Sequence, residues 1–267
     1  MSDRVITSSS NSRLKHLRRS MQEGRLDSLG RLPVEGRKLV GEAIRSGRVI
    51  DEVYICREKR HLPWIQDLIR DLSGRNVTVL EVTEKALTTV SDTEAPQGVL
   101  ALVRIPAYDL EETLRNNPLV VVVDRLQDPG NLGTLIRSCE AFGVGSVLLT
   151  RNTVNPANQK CVRASAGSLF RVPLVSDLRS SELVRVLKKH RFRVLATSPS
   201  GLKDFRQVSY SGATAIVVGS EGSGLDEGFL KEASTTIRIP LGPSVESLNV
   251  AVATSILLCE AARQRSS

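Results

Sequence analysis

Val120–Gly143 reads VVVVDRLQDPGNLGTLIRSCEAFG, and this stretch predicts a buried strand, a turn and a helix. The β-branched run Val120–Val123 is too short for a buried helix and is typical of a central strand in a parallel sheet. Pro129–Gly130 ends the strand, and we expect a helix over residues 131–142 with Asn131 as its N-cap. The stretch therefore predicts one βα unit of an α/β protein.

The turn between this strand and helix is a candidate ligand site. Such junctions place backbone N–H groups and the positive end of a helix dipole at the carboxyl edge of the sheet. Gly133 and Arg137 are four residues apart on one helical face, so the missing side chain leaves space beside the guanidinium group. The pattern indicates a phosphate position at Arg137, although an ordinary βα unit with a solvated arginine explains the same residues.

Two later stretches extend the pattern. Ala215–Gly224 reads AIVVGSEGSG, a strand that runs into a glycine-rich turn containing Glu221. Ile237–Val252 reads IRIPLGPSVESLNVAV, a short strand, a Pro/Gly loop and a helix that opens at residues 247–249. The chain lacks a GxGxxG after a first strand and has no GxxxxGK[ST], which disfavours a nucleotide-dependent dehydrogenase.

Together with Asn131-x-Gly133-x-x-x-Arg137, these stretches resemble the three ordered motifs of the SpoU–TrmH branch of the SPOUT RNA methyltransferases. The resemblance covers roughly residues 118–263, with a looser likeness in the segment before it, and Ala251 departs from the serine that many relatives carry. It implies a homodimeric enzyme with a trefoil knot that transfers a methyl group from S-adenosylmethionine to a ribose 2′-hydroxyl. Ribosomal RNA is the expected substrate, with a tRNA methyltransferase or a non-catalytic RNA-binding protein as alternatives.

The resemblance also implies roles for individual residues. Arg137 takes the position of the family's catalytic arginine. Because a guanidinium group stays protonated in proteins, we expect it to hold a phosphate and stabilise a developing alkoxide, not to act as a simple base. The other residues expected at the catalytic centre are Asn131, Glu221, Ser247 and Asn249.

The methyl donor needs a concave pocket close to the acceptor oxygen. The ends of neighbouring predicted strands and the last loop offer main-chain groups for an adenine edge and apolar side chains for its faces. The residues expected to bind S-adenosylmethionine are Thr197, Gly219, Ile239, Leu241 and Leu248.

Composition narrows the class of protein. The 267 residues are 40% apolar, enough for one large domain or two, and the net charge of +8 indicates a polyanionic partner such as RNA. No signal-peptide or membrane-spanning run is present, so we expect a soluble, cytoplasmic protein without a membrane partner. The four cysteines lack CxxC spacing and the three histidines are scattered, which favours reduced cysteines and no metal site.

We expect a basic N-terminal extension over residues 1–31, in which a helix near residues 12–22 follows a Ser/Asn cluster. A solvated charged face explains its charge run as well as RNA contact does. Its candidate RNA-binding residues are Arg13, Lys15, Arg18 and Arg19.

The rest of the chain is expected to form two domains joined by a linker. Residues 32–105 alternate helices and strands and resemble the family's RNA substrate-binding domain, with Arg37 at its entry as a further RNA-binding candidate. The polar segment 106–117 is the expected linker. Residues 118–267 predict an α/β methyltransferase domain, a mostly parallel sheet with helices on both faces.

Overall fold

The computed structural model of the chain describes residues 5–93, 95–220 and 224–266. The chain divides into two compact units, here called the first and the second unit. The first unit comprises Met1–Pro106 and Asn155–Phe170, and the second comprises Ala107–Val154 and Arg171–Ser267.

The first unit contains a four-stranded sheet with the strand order β1-β4-β2-β3. Strand β4 is antiparallel to β1 and β2, and β2 is parallel to β3. Its elements are α1 (Ser12–Glu23), β1 (Arg31–Glu35), α2 (Arg37–Arg45), β2 (Ile50–Cys56), α3 (Pro63–Leu72), β3 (Thr78–Val82), α4 (Glu84–Thr88), β4 (Val99–Arg104) and, from the later segment, α7 (Gln159–Ala164).

The second unit contains a seven-stranded sheet with the order β7-β6-β5-β10-β8-β11-β9, and every neighbouring pair is parallel. The predicted α/β class with a mostly parallel sheet is therefore confirmed. Its elements are α5 (Leu110–Asn116), β5 (Leu119–Asp124), α6 (Pro129–Ala141), β6 (Ser146–Thr150), β7 (Leu174–Leu178), α8 (Ser180–Lys189), β8 (Arg193–Thr197), β9 (Lys203–Asp204), β10 (Thr214–Gly219), α9 (Glu227–Glu232), β11 (Thr235–Arg238) and α10 (Val250–Arg265).

Strand β5, which contains the run Val120–Val123, is an interior strand of this sheet. All six residues of β5 are buried, because parallel neighbours flank it on both edges and helices cover its faces. Helix α6 begins two residues earlier than expected, since Asp128 and not Asn131 is its N-cap: the Asp128 carboxylate accepts a hydrogen bond from the Asn131 N–H at 2.7 Å. The expectation that Asn131 caps α6 was wrong.

Residues 5–31 pack into the first unit. Helix α1 is capped by Asn11 and buries an apolar face that includes Leu14, Leu17 and Met21 in the core beneath the four-stranded sheet. Residues 155–170, which the sequence placed in the catalytic domain, also group with the first unit. The buried side-chain amide of Gln159 donates to the backbone oxygen of Pro33 at 3.1 Å and joins them to β1.

The expected linker is not irregular throughout. It contains α5, which Asp109 caps by accepting a hydrogen bond from the Glu112 N–H at 2.8 Å. The trefoil knot stays a prediction.

The four cysteine thiols are free, and three of them are buried. Burial raises the pKa of the Cys161 thiol to about 12 and raises that of Cys139 further, so neither is a thiolate near neutral pH. Cys259 is the exposed exception, on α10. Within the described part of the chain, no helix is both long and apolar enough to cross a bilayer.

Candidate active site

A cavity of about 170 Å³ lies in the second unit, where the loops after β8, β10 and β11 meet. Because the strands are parallel, their carboxyl ends share one edge of the sheet, and the loops that follow them gather there. Every residue that the sequence predicted to bind S-adenosylmethionine lines this cavity, as does Ser247 from the catalytic set. The predicted residues on its wall are Thr197, Gly219, Ile239, Leu241, Ser247 and Leu248.

Glycines allow these loops to approach one another. A Cβ on Gly219 would lie 2.7 Å from the backbone oxygen of Gly224 and 2.8 Å from Cδ2 of Leu225, so the turn after β10 closes only because residue 219 has no side chain. A Cβ on Gly201 would lie 2.4 Å from the carbonyl carbon of Ile237, which brings the loop after β8 against β11. The cavity is therefore bounded by closely packed backbone.

The chemistry of the wall fits the nucleoside part of S-adenosylmethionine. Leu225, Ile237 and Leu248 present hydrocarbon to the cavity, while main-chain groups at the strand ends offer the polar contacts. A concave, largely apolar pocket with a few fixed polar groups is the usual form of a cofactor site.

Two residues of the predicted catalytic set contact each other beside this cavity. The Asn249 side-chain N–H donates to the side-chain oxygen of Asn131 at 2.9 Å. Asn249 also caps α10, because its side-chain oxygen accepts from the N–H groups of Ala251 and Val252 at 3.0 and 3.3 Å. Helix α10 thus begins at Val250, two residues later than expected, and the asparagine pair joins the first turns of α6 and α10.

Arg137 lies on the exposed side of α6, whereas Gly133 on the same helix is buried. No described residue forms a hydrogen bond or an ion pair with its guanidinium group. A cation that is exposed and has no partner among the described residues is available to an anionic ligand such as an RNA phosphate. Glu221, the remaining member of the predicted catalytic set, lies outside the described residues.

Asp124 is a residue that the sequence reasoning missed. It ends β5 opposite Gly219 of β10, and its carboxylate is completely buried. One oxygen accepts from Thr150 Oγ1 at 2.8 Å, and the other accepts from the Asp226 N–H at 2.8 Å and from Arg125 Nε at 3.2 Å. This carboxylate ties the loop after β10 to the ends of β5 and β6. An aspartate at the end of an apolar strand was the signal that could have identified it.

The basic residues of α1 are largely engaged within the first unit. Arg13 pairs with Glu52 at 3.1 Å, Arg18 donates to the backbone oxygen of Thr89 at 2.8 Å, and Arg19 pairs with Glu23 at 2.7 Å. Lys15 is exposed. Arg37, on α2, lies over the Trp64 ring at 5.5 Å. The structure therefore does not gather the five predicted RNA-binding residues into one cluster.

Across residues 5–93, 95–220 and 224–266, no three His, Cys, Asp or Glu side chains lie close enough together to hold a metal ion.

Comparison with known families and proteins identifies the same two regions. Residues 118–259 match the model of the SpoU rRNA Methylase family, and residues 33–109 match the model described as RNA 2′-O ribose methyltransferase substrate binding. The chain is 34% identical over 225 residues to the 23S rRNA (guanosine(2553)-2′-O)-methyltransferase RlmP of Bacillus subtilis, covering 84% of this chain and 86% of that protein.

Solved structures give the same result. The SpoU methyltransferase AviRb from Streptomyces viridochromogenes, in complex with AdoMet, superposes with a TM-score of 0.87 at 26% identity, over 96% of this chain and 99% of that one. The AdoMet-bound rRNA methyltransferase from Sinorhizobium meliloti has a TM-score of 0.85 at 31% identity and covers 97% of both chains. The chain therefore belongs to the SpoU rRNA methylase family and is an RNA 2′-O-ribose methyltransferase that uses S-adenosylmethionine.

Proposed function

We propose that the chain methylates the ribose 2′-hydroxyl of a guanosine in 23S ribosomal RNA, with S-adenosylmethionine held in the cavity at the carboxyl edge of β8, β10 and β11. The observation that carries the assignment of residues is that all five predicted cofactor-binding residues line that one cavity. The choice of ribosomal RNA and guanosine rests on relatives such as RlmP, whose name states that substrate. We also propose that the protein acts in the cytoplasm.

S-adenosylmethionine, when bound, supplies an electrophilic methyl group. Of the residues that line the cavity, Ile239 and Leu248 would hold the faces of the adenine ring, and main-chain groups at Thr197 and Gly219 would bind its polar edge. The apolar walls keep water away from the reacting centre, which strengthens the electrostatic contacts made there.

Arg137 holds the phosphate beside the target ribose and stabilises the alkoxide that forms as the 2′-hydroxyl loses its proton. Its exposure and its freedom from described protein partners support this role. The Asn131–Asn249 pair fixes the first turns of α6 and α10, and with Ser247 and Glu221 it orients the hydroxyl group.

The proposed active form is a homodimer that packs through α10. Val252, Ile256 and Cys259 follow one another at helical spacing, and Val252 is 49% exposed. An apolar helical face that its own unit leaves uncovered suits a second copy of the chain. Val252→Glu is expected to give monomers in analytical ultracentrifugation. Leu230→Glu, at an exposed leucine on α9, is the control and should leave the dimer intact. If the wild type and both variants all sediment as monomers, the dimer is refuted.

Methyl transfer from labelled S-adenosylmethionine to purified 23S ribosomal RNA and to tRNA tests the function. The wild-type protein should label 23S RNA, and Arg137→Ala should lose about 100-fold or more of the rate while binding S-adenosylmethionine as before. Arg185→Ala, which removes an exposed arginine from α8, is the matched control and should keep full activity. Labelling of tRNA instead would reject the substrate, and cofactor binding without any transfer would support a non-catalytic role.

A further inference from the structure

The first unit has a surface with basic and aromatic side chains that is separate from the basic residues of α1. Arg37 and Lys38 begin α2, and Trp64 lies in the first turn of α3. The guanidinium carbon of Arg37 is 5.5 Å from the centre of the Trp64 ring, within the range of a cation–π contact. Arg37 is exposed and Trp64 is half-buried, so the face of the guanidinium group turned away from the ring is open.

A cavity of about 240 Å³ adjoins this pair. Lys38 and Gln97 line it, and the Gln97 side-chain oxygen accepts a hydrogen bond from the Arg37 backbone N–H at 2.7 Å. That hydrogen bond fixes the wall of the cavity to the residue that stacks on Trp64. Gln97 on the cavity wall and Lys38 next to Arg37 in the chain therefore connect the cavity to the stacked pair.

The charges around the cavity leave an excess of accessible positive charge. The Glu35 carboxylate is hydrogen-bonded within the first unit: it accepts from Ser91, from the Asp92 N–H at 3.0 Å and from Thr93 Oγ1 at 2.9 Å. Asp92 in turn pairs with Arg163 at 2.6 Å. No described residue forms an ion pair with Lys38.

We propose that this surface, here called the Trp64 platform (Arg37, Lys38, Trp64 and Gln97), binds an unpaired nucleotide of the RNA substrate. The base stacks on the Arg37–Trp64 pair, Lys38 meets the neighbouring phosphate, and the cavity beside Gln97 accommodates the next nucleotide. Single-stranded RNA is commonly recognised by stacking on aromatic side chains and on arginine planes. The inference rests on the proposed function, because it assumes that RNA is the substrate.

RNA fits this surface better than an acidic peptide does. A peptide carboxylate would pair with the cations but leave the open face of the Arg37 guanidinium group without a stacking partner, whereas a nucleotide offers both a phosphate and a flat base. The α1 arginines, by contrast, have partners inside their own unit. The main RNA contact of the first unit is therefore assigned to α2 and α3, and not to α1.

The single tryptophan of the chain makes the proposal directly measurable, since intrinsic tryptophan fluorescence reports Trp64 alone. A short RNA hairpin with an unpaired loop should change that fluorescence as it binds, and a fully paired duplex of the same length should not. Trp64→Ala should weaken hairpin binding by about 5- to 100-fold, the range expected when one base loses an aromatic stacking partner. Arg37→Ala should weaken it by about 3- to 10-fold and reduce its salt dependence.

Arg45→Ala is the matched control, because it removes an exposed arginine from the other end of the same helix, where it pairs with Glu42. It should bind the hairpin as the wild type does. Hairpin binding with unchanged fluorescence and with full affinity in Trp64→Ala would overturn the platform, as would the same fluorescence change produced by polyglutamate and not by RNA. Methyl transfer to 23S RNA, measured in parallel, separates the outcomes: transfer that persists there leaves the proposed function standing even if the platform fails.

Discussion

Replacing Asp124 should detach the loop after β10 from the sheet and reduce cofactor binding without unfolding the second unit. The buried carboxylate accepts hydrogen bonds from Thr150 and from the Asp226 N–H, both at 2.8 Å. In Asp124→Ala both donors lose their acceptor inside the protein. A buried donor left without a partner costs about 1–3 kcal/mol. The free energy that favours the closed conformation of the loop should therefore fall by roughly 2–6 kcal/mol.

The loss should appear mainly as loop opening, because β5 is still held by β10 and β6 on its two sides. If the closed form becomes the minor form, the apparent affinity for S-adenosylmethionine falls by the fraction that remains closed, about thirtyfold for each 2 kcal/mol. Asp124→Asn should be much milder, since its amide oxygen can still accept from the Asp226 N–H while its N–H₂ group donates to Thr150.

Isothermal titration with S-adenosylmethionine and thermal unfolding, measured on the same samples, give the two readouts. Thr214→Val is the matched control: it removes a buried hydroxyl from the opposite end of β10, where Thr214 donates to the Tyr210 backbone oxygen at 3.3 Å. It should lower the Tm but leave cofactor affinity unchanged. Equal losses of affinity in Asp124→Ala and Thr214→Val, or none in Asp124→Ala, would refute the positioning role.

Three further predictions follow from the second unit. Gly219→Ala should lower cofactor affinity by about tenfold or more, since its Cβ would clash with the Gly224 backbone oxygen, whereas Gly242→Ala, with open space around its Cβ, should not; equal titrations would contradict this. Asn249→Ala removes the α10 cap and should lower stability by about 1 kcal/mol and the Tm by about 2–4 °C; an unchanged Tm would contradict the capping role. Hydrogen bonds from its lysine and histidine partners on α8 lower the pKa of Glu111 from 4.5 to about 2, so its stabilising effect is present above pH 4.5 and lost as the pH falls towards 2. The Tm difference between wild type and Glu111→Gln should therefore shrink over that interval, and a constant difference would argue against the ion pair.

The sequence was most informative where one physical signal acted alone. The run of β-branched residues in β5 predicted a central parallel strand because few other structures bury such a short apolar segment. Strand β1 was missed because Pro33 and its charged ends make Arg31–Glu35 read as a loop. It lies at the edge of its sheet, where a proline is tolerated.

Two other features were missed although the sequence contains helix-start residues for them, and a third depends on contacts between residues that are distant in sequence. Asp109 followed three residues later by Glu112 is a helix-start signature, and it marks α5 inside the expected linker. Asp128 directly before Pro129 is also a helix-start signature, because proline is favoured at the first position of a helix. Asp128, and not Asn131, is the N-cap of α6. The grouping of residues 155–170 with the first unit depends on contacts such as that from Gln159, which join residues distant in sequence.

The residues of the candidate site were predicted from resemblance more than from periodicity. Two of the three ordered motifs contain four of the five predicted cofactor residues, the end of a predicted strand supplied Thr197, and the structure gathers all five around one cavity. The buried role of Asp124 required the structure, because two of its donors, Thr150 and Asp226, are distant from it in sequence.

Mapping of ribose 2′-O-methylation in ribosomal RNA, in cells with and without this protein, tests the central claim most directly. The account predicts that one guanosine of 23S RNA loses its methyl group when the protein is absent. Wild-type protein should restore the mark and Arg137→Ala should not. A methylation map of 23S RNA that is the same in both cells would contradict it.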